Sequence, residues 1–402
     1  MARVVIIGAG HAGGSAAAFL RQYGFDGEIV MVGEEPLPPY QRPPLSKAWL
    51  KGEADSDSLQ LKSPEFWAEQ KIDFRASTRA TGIDRQARTV ALSDRSQVAY
   101  DTLILATGSS AHRLPIPGAD DPAILELRTA AHADRLKAAL QPGKRLIVVG
   151  AGYIGLEVAA SARALGCEVV VLEREARVLA RVASEPLAAF FERFHRERGV
   201  DLRTGVEVTA IEDARTVVLA DGTRVEGDAV LVGVGARACD ELAGEAGLTC
   251  VRGVVVDAEA RSETDPNVFA IGDCSYRPLP LYGEPMRLES VPNALEQAKQ
   301  AACAIAGRPQ PPGEVPWFWS DQYELKLQIA GLPLGADRLV VRGDPDQNRF
   351  AVFHLKGDLI LAVEAVNEPQ AFMGGKLLIG QRKPVNADKL GDSSVSMKEV
   401  AA

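Results

Sequence analysis

Two glycine-rich motifs are the residues best suited to do chemistry. The sequence reads G-A-G-H-A-G at Gly8, Gly10 and Gly13, and G-A-G-Y-I-G at Gly150, Gly152 and Gly155. In a strand–turn–helix unit the first glycine allows a tight turn, the second lets a pyrophosphate approach the backbone, and the third lets the helix pack closely. The free N–H groups at the start of the helix attract the phosphates. The repeat therefore predicts two dinucleotide sites, with FAD at the first and a nicotinamide dinucleotide at the second.

An acidic residue follows each motif at the end of the next predicted strand. Glu34 is placed to accept hydrogen bonds from ribose hydroxyls at the first site, and the neighbouring Glu35 is the less favoured choice. Glu173 lies about twenty residues after the second motif, where a carboxylate binds the adenosine ribose and repels a 2′-phosphate. This favours NADH over NADPH, although Arg174 and Arg177 follow closely and could meet a phosphate.

Two further strand ends are expected at the flavin. A buried strand from Thr102 ends in Ala106-Thr107-Gly108, and another, after Thr264, ends in Gly272 and Asp273. Ligands of doubly wound sheets bind at the carboxyl ends of the strands, so Asp273 is well placed for a ribityl hydroxyl.

A helix and a third strand end complete the predicted sites. Val291-Pro292-Asn293 opens an alanine-rich helix to about Ala306, with Asn293 as a candidate cap. Its N-terminus would stabilise the negative charge of reduced flavin, and simple packing is the alternative. Gly235 ends the run Val232-Gly233-Val234-Gly235, where backbone could lie against the nicotinamide half; an ordinary strand end is the alternative.

The elements that position these residues imply an α/β fold with two Rossmann-like dinucleotide-binding domains plus a C-terminal α+β domain. Proline-rich connectors at Pro115–Pro122 and Gly307–Pro316 suggest two boundaries. The predicted tail elements are strands at Leu325–Ala330, Arg338–Arg342, Arg349–Leu355 and Leu359–Asn367, a hairpin turn at Lys356-Gly357-Asp358, and a helix at Phe372–Gln381.

Composition limits the function classes. The 402 residues carry a net charge of −9, which argues against general nucleic-acid binding. We expect a cytoplasmic protein, since we find no signal peptide and no membrane span. The five cysteines form no C-x-x-C pair, so reduced thiols and no metal site are expected.

Several longer motifs resemble those of one family. They are P-P-L-S-K at Pro43–Lys47, G-Y-I-G-L-E-V-A-A from Gly152, A-I-G-D at Ala270, E-S-V-P-N-A-L-E-Q-A from Glu289, and P-W-F-W-S-D-Q-Y-E from Pro316. The whole chain resembles the class I ferredoxin reductases of bacterial cytochrome P450 and dioxygenase systems, of the putidaredoxin reductase type. The resemblance implies a flavoprotein oxidoreductase that takes hydride from NADH into FAD and passes single electrons to a [2Fe-2S] ferredoxin.

The resemblance implies a glutathione-reductase-like arrangement of three domains: an FAD-binding domain of residues 1–114 and 246–315, an NAD-binding domain of residues 115–245 inserted within it, and a C-terminal domain of residues 316–402. It also implies particular site residues. The implied FAD contacts are Ala12, Glu34, Arg42, Lys47, Ala80, Arg128, Asp273, Val291 and Trp319. The implied NAD contacts are Gly152, Tyr153, Ile154, Glu157, Glu173 and Gly235, with Glu289 near the nicotinamide. Lys47, Glu157 and Trp319 are the residues expected to act in catalysis.

Lys47 and Glu157 each carry a charge among apolar or small residues. Burying one such charge alone is costly, so we expect the two to pair beside the flavin, with two exposed charges as the alternative. Trp317, Trp319 and Tyr323 are expected to form an aromatic cluster. Core packing is the default explanation for such a cluster, whereas the resemblance places Trp319 over the flavin.

The expected partner is an acidic ferredoxin that docks on a local positive patch. Lys299 is a candidate by resemblance, and Arg308 and Lys326 are others; each is more often a solvated charge. A monomer is the default state. Two rival functions remain: an NADH-dependent flavin redox sensor like apoptosis-inducing factor, and a disulfide or peroxide reductase. The second is disfavoured because Ser46-Lys47 stands where those enzymes have a cysteine after the serine.

Overall fold

The computed structural model describes residues 2–401. The strands are β1 Arg3–Ile7, β2 Glu28–Val32, β3 Ile72–Arg75, β4 Ala80–Asp84, β5 Thr89–Leu92, β6 Gln97–Ala99, β7 Thr102–Leu105, β8 Ser109–Ala111, β9 Arg145–Val149, β10 Glu168–Leu172, β11 Val200–Arg203, β12 Val208–Glu212, β13 Thr216–Leu219, β14 Arg224–Glu226, β15 Ala229–Val232, β16 Ala236–Ala238, β17 Val254–Val255, β18 Val268–Ala270, β19 Ser275–Leu279, β20 Glu284–Met286, β21 Trp317–Gln322, β22 Leu325–Gly331, β23 Arg338–Asp344, β24 Arg349–Lys356 and β25 Leu359–Val366.

The helices are α1 His11–Gln22, α2 Ala48–Lys51, α3 Ser56–Leu59, α4 Pro64–Glu69, α5 Ala130–Ala139, α6 Tyr153–Ala164, α7 Glu185–Glu197, α8 Glu241–Glu245, α9 Val291–Ile305, α10 Pro369–Gln381 and α11 Ala387–Gly391. Short 3-10 helices occur at Pro43–Ser46, Gly272–Cys274 and Pro345–Gln347. The chain forms two compact units. The first contains the chain up to Arg42, Ser56–Ser110 and Arg237–Glu314, and the second contains Pro43–Asp55, Ala111–Ala236 and the chain from Val315.

A five-stranded parallel sheet forms the centre of the first unit, in the order β18-β7-β1-β2-β3. Successive side chains of β1 point to opposite faces, so its apolar run serves two cores. On one face Ile6 meets Leu20 of α1 and Ala298 of α9. On the other face Val5 meets Val90 of the antiparallel sheet β4-β5-β6. The carboxyl end of β1 is thereby held between helices and a second sheet.

The second unit repeats this plan on a smaller scale and adds a third sheet. The parallel order is β11-β10-β9-β15, and the antiparallel sheet β12-β13-β14 covers one face through Val149, Val170 and Val217. A five-stranded antiparallel sheet follows in the order β21-β22-β25-β24-β23. Phe190 of α7 packs against Phe350 of β24, with ring centroids 4.9 Å apart.

Both predicted strand–turn–helix units are confirmed, but their helices begin earlier than expected. The alanine-rich patterns from Ser15 and from Leu156 predict helices that begin there, whereas α1 starts at His11 and α6 starts at Tyr153. The last residues of each glycine motif are helical, with Gly10 and Gly152 as the N-caps. Over the described residues neither helix has a side-chain cap, and a helix N-terminus of this kind is suited to bind an anionic ligand.

The predicted helix after Glu289 is confirmed as α9, but its cap was predicted wrongly. Ser290 is the N-cap, and its hydroxyl accepts a hydrogen bond from the Asn293 N–H at 3.2 Å. Asn293 lies inside the first turn and is buried. Because Pro292 occupies that turn, the capping residue must precede it, and serine is a preferred type there.

The C-terminal strands and helix are observed with shifts of a few residues, and Gly357-Asp358 makes the predicted hairpin turn between β24 and β25. The sequence did not predict β21, which pairs antiparallel with β22 along its whole length. Its run W-F-W-S-D-Q places large aromatic residues on both faces, which hides the usual alternation of a half-buried strand. The division into three domains stays a prediction.

Three structural features of residues 2–401 concern membranes, metal ions and the cysteines. No helix in this range is long and apolar enough to cross a membrane. No group of histidine, cysteine and acidic side chains in this range could hold a metal ion. All five cysteines are free thiols, and burial raises the pKa of Cys250 to about 11, which keeps this thiol protonated.

Candidate functional site

The two glycine loops have the same internal geometry. A Cβ on Gly13 would lie 1.9 Å from the Gly8 carbonyl oxygen, and a Cβ on Gly155 would lie 2.2 Å from that of Gly150. Gly8 and Gly150 have positive φ angles of 109° and 104°, which favour glycine. The first and third glycines are thus required by the protein's own packing.

The middle glycines differ because they face open space. Among the described residues, the nearest atom to a Cβ on Gly10 is a guanidinium nitrogen of Arg42 at 4.0 Å, and no atom lies within 4 Å of a Cβ on Gly152. Packing therefore does not explain why these positions are glycine. A pyrophosphate that approaches the backbone at the helix N-terminus does explain it, so both loops fit a dinucleotide.

The predicted strand ends gather at the first loop. A Cβ on Gly8 would lie 2.1 Å from the Ala106 carbonyl oxygen, and one on Gly272 would lie 3.0 Å from the Ala12 side chain. The Asp273 carboxylate accepts a hydrogen bond from the Ser109 hydroxyl at 2.8 Å. The residues from Ala106 and from Gly272 thus form one site with the first glycine motif. Thr107 donates to the Cys239 carbonyl, and Gly108 follows in the same turn.

Gln297 supports this site and was missed in the sequence. This fully buried residue of α9 accepts hydrogen bonds from the Gly272 N–H and the Ser275 hydroxyl, both at 2.8 Å. It holds the Gly272-Asp273 turn against α9, the helix that begins at Val291. The signal in the sequence that could have identified Gln297 is its position one helical turn after Asn293.

The acids after β2 have different surroundings. Glu34 is 71% exposed and lies 3.7 Å from Arg79. Glu35 is 26% exposed, and it binds Arg42 at 2.8 Å and the Tyr40 hydroxyl at 2.6 Å. Arg42 is the side chain nearest to Gly10. The structure thus places Glu35 in the cluster beside the first loop, while the choice of Glu34 for the ribose stays a prediction.

Glu173 lies directly against the second glycine loop. Its carboxylate accepts hydrogen bonds from the N–H of Ala151 at 2.6 Å and of Glu175 at 2.9 Å. Arg177 donates to the carbonyls of Ala183 and Ala180, so it is committed to its own loop. Arg174 is exposed and pairs with Glu175. These contacts support the expectation that an unphosphorylated ribose binds here.

Tyr153 and Ile154 begin α6 at the mouth of this loop. Ile154 is exposed, whereas burial, reinforced by Glu364, raises the pKa of Tyr153 well above its usual value and keeps the phenol neutral. The Tyr153 hydroxyl donates to the Val182 carbonyl at 3.3 Å. Gly235 follows β15 and has a positive φ of 113°, a backbone conformation that favours glycine.

The predicted pair of Lys47 and Glu157 is confirmed. The Lys47 Nζ lies 2.6 Å from Oε2 of Glu157, and the two side chains are 18% and 3% exposed. Glu157 stands on α6 one turn after Tyr153, immediately behind the second glycine loop. A buried carboxylate at this position is therefore held by a lysine from the segment before α2.

Two serines that the sequence did not single out also bind this carboxylate. The Ser46 hydroxyl donates to Oε2 of Glu157 at 2.5 Å, and the Ser320 hydroxyl donates to Oε1 at 2.7 Å. Ser46 lies inside the P-P-L-S-K motif and Ser320 inside W-F-W-S-D-Q, so their motifs were recognised without their roles.

The aromatic cluster was predicted only in part. The rings of Trp317 and Trp319 lie 5.7 Å apart on one face of β21. Tyr323 belongs elsewhere, because its ring packs against His195 and Phe194. A strand places residues 317 and 319 on the same face, and the chain turns after Gln322, which directs Tyr323 away from them.

The implied FAD contacts fall in both units. Ala12, Glu34, Arg42, Ala80, Asp273 and Val291 belong to the first unit, and Lys47, Arg128 and Trp319 belong to the second. The implied NAD contacts from Gly152 to Gly235 all belong to the second unit, whereas Glu289, ion-paired with Arg287, belongs to the first. The roles of these residues stay predictions.

Two of the candidate basic residues contact the C-terminal end of α1. The Lys299 ammonium lies 5.8 Å from the ring centre of Phe19, and Arg308 donates to the Tyr23 carbonyl at 2.9 Å. Phe19 and Tyr23 stack on each other. Lys299 and Arg308 thus share one surface of the first unit, while Lys326 belongs to the second.

His195 predicts a pH dependence of stability. Burial lowers its pKa to about 4 from the ordinary value of 6.5, although its hydrogen bond with Gln322 opposes this shift. Between these values the unfolded chain binds more protons, so stability is full above pH 6.5 and falls as the pH approaches 4. We expect a loss of about 2 kcal/mol at pH 5.

The measurement is the denaturant midpoint of the purified protein at pH 7 and pH 5. His195→Gln removes the titrating group, so its midpoint should change less between the two pH values. His112→Gln, at an exposed position, is the control. Equal pH dependence of His195→Gln and the unchanged protein would contradict the assignment.

Comparison with known proteins adds independent information. Residues 2–298 match the family model described as pyridine nucleotide-disulphide oxidoreductase, and residues 317–401 match the one described as reductase C-terminal. The chain is 48% identical to a probable ferredoxin reductase, CtmF, of Castellaniella defragrans, covering 99% of this chain and 98% of that protein. It is 44% identical to putidaredoxin reductase CamA of Pseudomonas putida, covering 99% and 96%.

A solved structure agrees in fold as well as in sequence. The chain is similar to the covalent putidaredoxin reductase–putidaredoxin complex, with a TM-score of 0.96 and 42% identity over 99% of this chain and 98% of that chain.

Proposed function

Because the chain belongs to the pyridine nucleotide-disulphide oxidoreductase family and, within it, to the ferredoxin reductases, we propose that it is an NADH:ferredoxin oxidoreductase containing FAD. It oxidises NADH and delivers single electrons to a [2Fe-2S] ferredoxin, which in turn supplies a cytochrome P450 or a dioxygenase. The observation that supports this most directly is the pair of glycine loops whose middle glycines face open space.

The protein's own residues bind, orient and shield the reactants. When bound, FAD supplies the redox chemistry, accepting two electrons and releasing them one at a time. Gly10 and Gly152 admit the two pyrophosphates, and the N-termini of α1 and α6 stabilise their charge. The Lys47–Glu157 pair lies one helical turn behind the second loop, where it keeps the nicotinamide in register with the flavin.

The same residues favour NADH as the donor. Glu173 presents a carboxylate at the second loop, and Arg177 is occupied by backbone carbonyls. A 2′-phosphate would meet the negative charge of Glu173 at this point.

Two rival functions are separated by specific features. A disulfide or peroxide reductase needs a reactive thiol, but Lys47 stands at that position and forms an ion pair. A flavin redox sensor would be reduced slowly by NADH and would keep a long-lived charge-transfer complex. Rapid turnover with a ferredoxin would exclude the sensor.

We propose that Lys299 and Arg308 form part of the ferredoxin-docking surface. An overall acidic chain needs a local positive patch to bind an acidic partner. We also propose a cytoplasmic location, which agrees with five free thiols.

The experiment is NADH-driven reduction of a panel of acidic [2Fe-2S] ferredoxins by the purified flavoprotein, with NADPH in parallel. We expect rapid reduction of at least one ferredoxin and a lower kcat/KM for NADPH by about 100-fold, a difference of about 3 kcal/mol. Ferricyanide as the acceptor is the control for flavin reduction. Rapid ferricyanide reduction without reduction of any ferredoxin would contradict the proposed partner, and slow reduction of both would favour the sensor.

A further inference from the structure

A chain of buried polar side chains runs from the Glu157 carboxylate to α7. The Ser320 hydroxyl, bonded to Glu157, lies 3.2 Å from Nε2 of Gln322. Oε1 of Gln322 lies 2.8 Å from Nε2 of His195. Ser320, Gln322 and His195 are all fully or almost fully buried.

The direction of every hydrogen bond in this chain follows from the carboxylate at its end. An ionised carboxylate only accepts, so Ser320 must donate to it, and the serine oxygen then accepts from the amide NH₂ of Gln322. Oε1 of Gln322 is left to accept from Nε2–H of His195. The imidazole is therefore neutral with a bare Nδ1, and this buried Nδ1 has no hydrogen-bond partner among residues 2–401.

The chain connects three elements of the second unit. Glu157 stands on α6, Ser320 and Gln322 are alternate residues of β21, and His195 lies in the last turn of α7. Alternation along β21 directs residues 318, 320 and 322 to one face, where Phe318 packs against Tyr153 at 4.9 Å. The N-terminus of α7 is held separately, since Ser184 binds the buried carboxylate of Glu364 on β25.

We propose that Ser320, Gln322 and His195 are positioning residues that fix the orientation of the Glu157 carboxylate toward Lys47, so that the C-terminal sheet sets the rate at which NADH reduces the flavin. Without Ser320, Oε1 of Glu157 loses the donor that opposes rotation about its last bond. Oε2 would then no longer be held between Lys47 and Ser46. This inference rests on the proposed function, because its effect is measured on flavin reduction by NADH.

The kinetic test is stopped-flow reduction of the FAD-loaded protein by NADH. We expect the limiting rate to fall about tenfold in Ser320→Ala, the size of one charge-assisted hydrogen bond. The limiting rate should fall less in Gln322→Met, because methionine keeps the length of the side chain and lacks the amide donor. It should stay within about twofold of the unchanged protein in Ser320→Thr, because threonine keeps the hydroxyl. Ser262→Ala removes a buried hydroxyl that accepts a hydrogen bond from the Thr264 N–H, and serves as the control.

Two results distinguish positioning from a general packing effect. The double variant Ser320→Ala/Gln322→Met should be no slower than Ser320→Ala alone, because Gln322 acts through the Ser320 hydroxyl. In nitrogen-15 spectra of the five histidines, His195 should be neutral and protonated on Nε2, and Gln322→Met should alter its signals. His195→Gln assigns those signals.

Specific outcomes would overturn the proposal. They are a limiting rate in Ser320→Ala within twofold of the unchanged protein, multiplied effects in the double variant, or a proton on Nδ1 of His195. If Ser320→Ala does not fold, Gln322→Met and the histidine spectrum still decide the matter. Failure of NADH to reduce the flavin of the unchanged protein would contradict the proposed function instead, and the histidine spectrum would still test the hydrogen-bond chain.

Discussion

In Glu157→Ala, NADH should reduce the flavin about 100-fold more slowly than in the unchanged protein, and FAD should remain bound. A misplacement of the reactants by about 1 Å can slow a reaction by this much. The substitution leaves Lys47 largely buried without its partner and releases the hydroxyls of Ser46 and Ser320. The nicotinamide then loses the group that we infer keeps it in register with the flavin. The measurement is the limiting rate of flavin bleaching in a stopped-flow instrument.

The control for this prediction is Glu212→Gln, which removes a glutamate from an exposed pair with Arg224. Flavin content is measured from the absorption spectrum of each variant, so that loss of FAD is not mistaken for slow reduction. A rate within a few fold of the unchanged protein, with FAD bound, would show that the pair serves folding alone.

Gly152→Val should strongly weaken NADH binding without loss of FAD or of the fold. No atom of residues 2–401 lies within 4 Å of a Cβ at residue 152, so the added side chain enters the space that we assign to the pyrophosphate. We expect the dissociation constant for NADH to rise by about 100-fold or more, equivalent to about 3 kcal/mol. The measurement is calorimetric titration with NADH, together with the thermal midpoint.

The corresponding variant in the first glycine loop provides a complementary test. A Cβ on Gly10 would lie 4.0 Å from the Arg42 guanidinium, and Gly10→Val should produce a folded, colourless protein that has lost FAD. Gly244→Val is the matched control, because residue 244 lies in α8 and its Cβ meets no atom of the described residues within 4 Å. Normal NADH affinity in Gly152→Val would mean that the second loop is only a structural turn.

The alternative substitutions within the same motifs should behave differently. Alanine at Gly13 or Gly155 would collide with a backbone carbonyl within the loop, so those changes are expected to damage folding before they affect any ligand. The contrast between middle and outer glycines is therefore the point at which steric packing and ligand binding can be separated.

The comparison of β1 and β21 explains which elements could be predicted. In β1 a short apolar run meets a glycine with positive φ, and both signals depend only on neighbouring residues. In β21 the pattern W-F-W-S-D-Q serves two different neighbours, with Trp317 and Trp319 on one face and Ser320 bonded to Glu157 on the other. Local patterning cannot identify such neighbours.

The sequence by itself determined the two glycine turns, the helices that follow them, Glu173 after β10 and the order of the C-terminal strands. These features repeat or alternate over a few residues, so backbone sterics and side-chain periodicity specify them locally. Tertiary structure alone decided that Ser290 caps α9, that Glu35 and not Glu34 lies beside Arg42, and that Ser46 and Ser320 bind one carboxylate. Some of those contacts join residues that are far apart in the chain, and others involve one of two nearby residues that could each make the contact. Only the packing of the elements decides which atoms come within hydrogen-bond distance.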